Sequence, residues 1–529
     1  MKQYKMKTRG YVVLVLLAAL VVGGLAFAGL KTGLIKNDLT GNKVTDEGNK
    51  NTGGNKNNGT TSNTDRNSID TTIDLSLDEW IGWKSIVDAN GNLTTTANAI
   101  FNQLGVDVKI HVMNDATQSS NALIKGDLDA AGYTINRTAF LSSKFTSAGV
   151  DVVMPYITNY SNGGDGIIAK SSIQSVNDLV GAKIGVPEFS EAHTLIIWFV
   201  NNSDLSDSDK EKIIDNLIMF ATPDEAAKAF FAGQVDVAAT WEPYLTQAQN
   251  MTDAHILFST ASSSSLVMDG ILFRQDFVDA HPDLVQKFIK GCLTAASLYE
   301  TEFDAIRSVM PMYSTMSDED IVANCVSARL TTWKDNVDLL NGTAKIMYTD
   351  MCDVWASIGE NVDSSIVDSL FNDSYIQAIS GDFSSTEVSN TNKVTVTDEN
   401  KDAIVNTEAL LGGSASVTFE KNTAKFTDSA AASAELDKFI DIAKILDGAI
   451  IEIAGNTDPN PDSDPLDEYN QKLSLQRAEA VKNYFVMNGI PADRIVVVGN
   501  GSSNPVVEND TEEHRAMNRR TDVKFKIIE

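Results

Sequence analysis

Two short stretches constrain the fold more than anything else in this chain. Residues 122–134 read ALIKGDLDAAGYT, and 107 positions later residues 229–241 read AFFAGQVDVAATW. Each has the pattern of a helix end, a glycine suited to a left-handed cap, and an aspartate-bearing strand of small residues. The strands close at Thr134 and Trp241. Side chains at such strand tips reach the carboxyl edge of a sheet, which is where open α/β domains bind ligands. Two copies with nothing alike around them suggest two lobes whose sheet edges face a shared cleft.

The surrounding pattern supports that expectation. From about 69 to 380, strand-like runs alternate with amphipathic helix patterns such as DEAAKAFFAG and PDLVQKFIKGCLTAASLYE. The runs include VDVKIHVM (106–113), VDVVMPYI (150–157), AKIGVP (182–187) and VDVAAT (235–240). This alternation predicts parallel α/β units. A polar stretch over 381–412 is expected to be a second linker. Residues 413–529 then predict a separate α+β domain of βαβαββ order, with strands SVTF, AIIEIAG, RIVVVGNG and TDVKFKII and two helices between them.

Ahead of these domains, Tyr11–Leu30 is a run of twenty residues without a charge, preceded by Lys2, Lys5, Lys7 and Arg9. That length matches the hydrocarbon core of a bilayer, and the basic flank holds its N-terminal end in the cytoplasm, so the remainder is exported. Ala26-Phe27-Ala28 would also fit a signal-peptidase site, but the apolar run exceeds the usual core of a cleavable signal. Residues 1–36 are therefore expected to be a basic flank and an uncleaved membrane anchor. Residues 37–68, rich in Asn, Gly and Thr, predict a flexible linker. A formal net charge of −30 argues against a nucleic-acid partner. Cys292, Cys325 and Cys352 form no CxxC pair and have no histidine at ligand spacing, so they are expected to be buried small residues, with no metal or cofactor implied.

Four stretches carry a more specific signal: GDLDAAGYT, VNDLVGAKIGVPEFSEAHTL, TPDEAAKAFFAGQVDVAATWEPYLTQA and DGILFRQDFVDAHPDLVQKFIKG. Through them, residues 69–380 resemble the two-lobed extracytoplasmic solute-binding proteins of ABC importers, of the nitrate, sulfonate, taurine and thiamine-precursor type. The resemblance implies a type II periplasmic-binding-protein fold, a small organic solute and an importer permease as partners, and no catalytic residues. It would place one lobe at about 70–160 plus 268–380 and the other at about 161–258, with crossovers near Gly163-Gly164 and Ser262–Ser265. Its cleft candidates are Trp80, Trp83, Thr134, Ser190, His193, Trp241, Glu242 and Asp269. Indoles offer flat apolar area, hydroxyls offer directional hydrogen bonds, and the helix N-terminus after Ser190 would suit an anionic group. Each has a plainer alternative: Trp80 and Trp83 as core, Glu242 as a cap on the next helix, His193 as a structural histidine. Arg137 is the only arginine near a strand tip, whereas Glu191, Glu242 and Asp269 are acidic. A cationic or zwitterionic solute fits that balance at least as well as an anion.

In the C-terminal domain Asp458 follows the strand AIIEIAG, and Arg477 lies two turns into the helix KLSLQRAEAVKNYFVMNG, for which Asn470 is a plausible N-cap. Leu475, Ala478, Val481 and Phe485 recur at helical spacing and predict its buried face. The ordered set TD, NxxLSxxRAxxV, GIxxxRI, GxG and NRR makes residues 413–529 similar to the OmpA-like peptidoglycan-binding domain. That resemblance implies that Asp458 and Arg477 bind the diaminopimelate of the stem peptide, supported by Asn456, Thr457, Asn470 and Arg519. The proline-rich acidic loop PNPDSDPLDEY after Asp458 departs from the family pattern.

Together these features predict a membrane-anchored solute-binding protein held to the wall, with its C-terminal part in the periplasm or cell wall. Alternatives are a ligand-free or sensory scaffold between membrane and wall, a flagellar stator subunit and an enzyme on the two-lobed fold. The stator reading lacks an acidic residue in the apolar run; the enzyme reading lacks a partner for His193 and any phosphate loop.

Overall fold

The computed structural model describes residues 72–263, 265–383, 395–420, 422–458 and 468–528. The apolar run 11–30, the stretch 37–68 and residues 459–467 of the acidic loop lie outside the described residues. Among the described residues, no helix is long and apolar enough to cross a membrane.

The chain first lays down β1 (Thr72–Leu77), β2 (Asp107–Val112), β3 (Ala130–Thr134), β4 (Val152–Val153) and β5 (Ile157–Ser161). Residues 162–164 then carry it into a second sheet of β6 (Asp165–Lys170), β7 (Ile184–Pro187), β8 (Ile218–Phe220), β9 (Val237–Trp241) and β10 (Ala254–Ser259). Residues 260–267 return it to the first sheet as β11 (Met268–Arg274) and β12 (Ala328–Leu330). The first sheet runs β12-β5-β11-β3-β1-β2, with β4 beside β11, and the second runs β10-β6-β9-β7-β8. The orders β2-β1-β3-β11 and β8-β7-β9-β6 correspond: β1 lies in parallel between β2 and β3 as β7 does between β8 and β9, and an antiparallel strand, β11 or β6, lies beyond. Two lobes of one topology, crossed twice by the chain, make this a two-lobed mixed α/β fold.

The sequence echo is the same local device in both lobes. Gly126 caps the helix Ala116–Lys125 at φ +77°, and Gly233, at φ +69°, follows the helix Pro223–Phe231. Asp129 then accepts the backbone N–H of Asp74 at 3.0 Å, and Asp236 that of Lys183 at 3.0 Å. Each carboxylate thus ties the start of one strand to the start of its neighbour. Ala130, Ala131, Ala238 and Ala239 are fully buried in β3 and β9, where small side chains suit a strand enclosed on both faces.

The C-terminal domain is a sheet of β13 (Leu411–Ala415), β14 (Ile450–Gly455), β15 (Ile495–Gly499) and β16 (Thr521–Lys526), ordered β13-β16-β14-β15. The helices Ser429–Ile445 and Glu468–Met487 connect its first three strands. Its first strand is LGGSA rather than SVTF, and residues expected as linker (381–412) include the helix Lys401–Asn406 and the start of β13. Main-chain pairing with β16 and packing of Ile404 on Ile450 and Val496 hold this stretch, forces that a polar composition does not reveal. Asn470 stands inside the second helix rather than capping it. Leu475 is 40% exposed, because Leu473, Ser474 and Arg477 share the buried face with Ala478, Val481 and Phe485. That helix lies so close to the sheet that a Cβ on Gly455 would meet the Ser474 carbonyl at 2.1 Å. The returning crossover is braced by this domain: Ser263 and Ser265 donate to the Ile445 carbonyl at 2.6 and 3.2 Å, and the Gly448 N–H donates to Ser262 at 3.1 Å. The three cysteines are free and buried.

Candidate functional site

A cleft opens between the two sheet edges. Five of the expected residues line it: Trp80, Trp83, Thr134 and Asp269 from the first lobe and Trp241 from the second. Trp80 and Trp83 flank the short turn that follows β1, Thr134 and Trp241 end β3 and β9, and Asp269 opens β11 beside Thr134. Trp83 is 1% exposed, so it is core and cleft wall at once, while Trp241 is 41% exposed.

The indoles orient carboxylates. Trp80 Nε1 donates to Asp269 Oδ2 at 3.0 Å and to Asn159 Oδ1 at 3.1 Å, and Trp83 Nε1 donates to Asp78 Oδ1 at 2.6 Å. Gly82 makes room for Asn159 in this arrangement, since a Cβ there would sit 2.3 Å from Asn159 Oδ1. Burial, compounded by Asp78, Glu191 and Asp165, pushes the Asp269 carboxyl well above the usual range against the Trp80 hydrogen bond. Burial likewise pushes Asp165 up to about 7, opposed by a hydrogen bond from Ser161 and reinforced by Glu191.

Glu191 bridges the lobes. Thr134 Oγ1 donates to it at 2.9 Å and Arg137 pairs with it at 3.3 Å. Burial alone would raise its carboxyl, but Arg137, its own backbone N–H and Thr134 outweigh that and hold it below the ordinary value. As the first residue of the helix Glu191–Asn201, it already sits at the positive end of the helix dipole.

The other three expected residues are not in the cleft wall. Ser190 caps that same helix, accepting from His193 N at 3.2 Å and donating to the Pro187 carbonyl at 2.7 Å. His193 is 1% exposed among Phe189 and Trp355, and burial pushes its imidazole down to about 4. Glu242 turns away to cap the next helix, accepting from Thr246 N at 3.1 Å and Thr246 Oγ1 at 2.9 Å. Sequence reasoning missed Asp78 and Asp165. Asp165 carried a usable signal: it is the first strand residue after the Gly163-Gly164 crossover, a position that puts a side chain at the cleft.

In the C-terminal domain, Asp458 receives Arg519 Nη1 at 3.0 Å, and Arg519 Nη2 also reaches Glu512 at 2.7 Å. Arg477, 7% exposed, donates to the Thr423 carbonyl at 3.2 Å and stacks 5.0 Å from the Phe419 ring centroid. Burial disfavours its charge, and Asp458 nearby restores part of it. Asn456 is buried and locked between Asp522 and Asn500 at 2.9 and 3.0 Å. Thr457 Oγ1 and Asn470 Nδ2 are buried polar atoms without a hydrogen-bond partner among the described residues.

Residues 91–299 match the NMT1/THI5 like family and residues 418–519 the OmpA family. The chain is a fusion of an NMT1/THI5-like domain and an OmpA domain. The peptidoglycan-binding protein ArfA of Mycobacterium tuberculosis is 41% identical over 88 residues, 17% of this chain and 26% of that protein. A Bacillus subtilis protein named for aliphatic sulfonates is 30% identical over 176 residues, 33% of this chain and 50% of that protein. The chain thus spans half or less of the length of the curated relatives it matches. Among solved structures, the periplasmic aliphatic sulphonate binding protein SsuA of Escherichia coli aligns at 16% identity and a TM-score of 0.45, covering 58% of this chain and 99% of that one.

Proposed function

We propose that this protein captures a small organic solute outside the cytoplasm for an ABC importer and is held to peptidoglycan by its C-terminal domain. One observation carries the first half: β3 and β9, corresponding strands of two lobes, end in Thr134 and Trp241 on the wall of a single cleft. Closure of the lobes about the crossovers would couple capture to delivery at a permease. The OmpA domain supports the second half, with Asp458 and Arg477 gripping the zwitterionic end of a diaminopimelate stem peptide and Arg519, Thr457, Asn456 and Asn470 framing it. The run 11–30 would anchor the chain in the membrane.

Wall attachment is tested by sedimentation of the full chain with purified peptidoglycan. Asp458→Ala and Arg477→Ala should each abolish co-sedimentation, and retention equal to the parent would refute the assigned pair. Trp241→Ala should weaken solute binding and leave co-sedimentation unchanged.

A further inference from the structure

The cleft holds more negative charge than the protein compensates. Asp165 and Asp269, 7% and 3% exposed, reach it from opposite lobes, and Asp78 joins them from the loop after β1. Among the described residues, no lysine or arginine lies within salt-bridge distance of any of the three. The hydrogen bonds that Asp78 and Asp269 accept from side chains come from the neutral indoles of Trp83 and Trp80. Buried carboxylates elsewhere in proteins are paired or neutralised, because an isolated buried charge is costly.

Among the described residues, the wall also lacks a free site for an anion. Arg137, its one arginine among the described residues, is paired with Glu191, and the helix N-terminus that would suit a sulfonate or nitrate is filled by the carboxylate of Glu191 itself. A metal ion is a poor match: among the described residues, no three His, Cys, Asp or Glu side chains gather at coordination distance. What the wall does offer beside the acids is aromatic surface, from Trp80, Trp83 and the half-open Trp241. Carboxylates among indole rings attract an ammonium group that carries methyl or methylene surface, by Coulomb attraction and by the quadrupole of the rings.

Given the solute-binding function proposed above, we infer that the cleft takes an organic cation, whose positive nitrogen neutralises Asp165 and Asp269 and whose carbon skeleton lies against Trp80, Trp83 and Trp241. The ligand is the missing counter-ion of the site. Binding then draws a proton off the cleft, because Asp165, pushed up to about 7, is partly protonated when the cleft is empty. The charged groups facing Asp165 are Glu191, with its Arg137 partner, and Asp269. All but the arginine add to the negative field.

The test is calorimetry and thermal unfolding of the full chain with choline, putrescine, ethanesulfonate and nitrate as probes. Choline or putrescine should bind and the two anions should not. Cation affinity should fall roughly tenfold from pH 8 to pH 6, with protons released on binding as read from buffers of different ionisation enthalpy. Asp269→Asn and Asp165→Asn should each weaken the cation at least tenfold while the unfolding midpoint stays level or rises, which separates a lost ligand contact from a misfolded variant. Binding of ethanesulfonate or nitrate with indifference to both cations would overturn the organic-cation assignment and leave solute capture standing. Failure of all four probes to bind up to millimolar concentration would overturn both.

Discussion

Buried acidic side chains are handled differently in the C-terminal sheet and in the cleft. In the sheet, Glu452, 4% exposed, receives Lys526 at 2.6 Å and Lys524 at 3.1 Å, and Asp522 receives Arg520 at 2.9 Å. In the cleft, among the described residues, Asp165 and Asp269 have only neutral donors. The fold supplies the counter-charge in the first case and leaves it to be supplied from outside in the second. Residue type and burial are the same in both, so compensation is the property that separates framework from site.

Four measurements break or sharpen this contrast. Lys526→Met leaves Glu452 with only its more exposed lysine, and chemical denaturation should register a loss of about 2–4 kcal/mol; a negligible loss would mean that the buried pair contributes nothing to the sheet. The next effect is one of pH. The Asp165 carboxyl is raised in the folded chain, so its contribution to stability is fully present below the unfolded value near 3.8 and is lost as pH rises through about 7. Asp165→Asn should therefore flatten the decline of ligand-free stability between pH 4 and 7, by about 3 kcal/mol across the window. A steeper decline in the variant would indicate a compensated carboxylate. Asp269→Asn keeps an acceptor for Trp80 and removes the charge, so denaturation at pH 8 should show no loss and a gain of up to about 1 kcal/mol. The smallest effect belongs to the solvent-exposed helix pair Lys228–Asp224, where Lys228→Ala should change stability by less than about 0.5 kcal/mol.

What could be read ahead of the structure follows from how local each signal is. The glycine and aspartate of the echo act within a few residues of one another and on the adjoining strand, so the device was legible, as was the alternation of the C-terminal domain through β15; the helix Glu512–Asn518 between β15 and β16 departs from the expected βαβαββ order. β13 was not, because Leu411–Ala415 has two glycines and no apolar alternation, and only pairing with β16 makes it a strand. The cleft was half legible. Strand tips such as Thr134 and Trp241 announce themselves, whereas Ser190 and His193 belong to a helix start whose polar groups are consumed by capping and burial. Asp165 and Asp269 are more than one hundred positions apart, and only the double crossing of the chain brings them to one wall.

The paired aspartates of the echo bear on how such a protein could be re-purposed. Asp129 and Asp236 belong to the frame: each accepts a backbone N–H of a neighbouring strand at 3.0 Å, five residues upstream of the position that faces the cleft. Frame and reading head are thus separate letters of one short word. An engineer who keeps the glycine and the aspartate and rewrites only residues 134 and 241 would be changing the lock's teeth without touching its barrel.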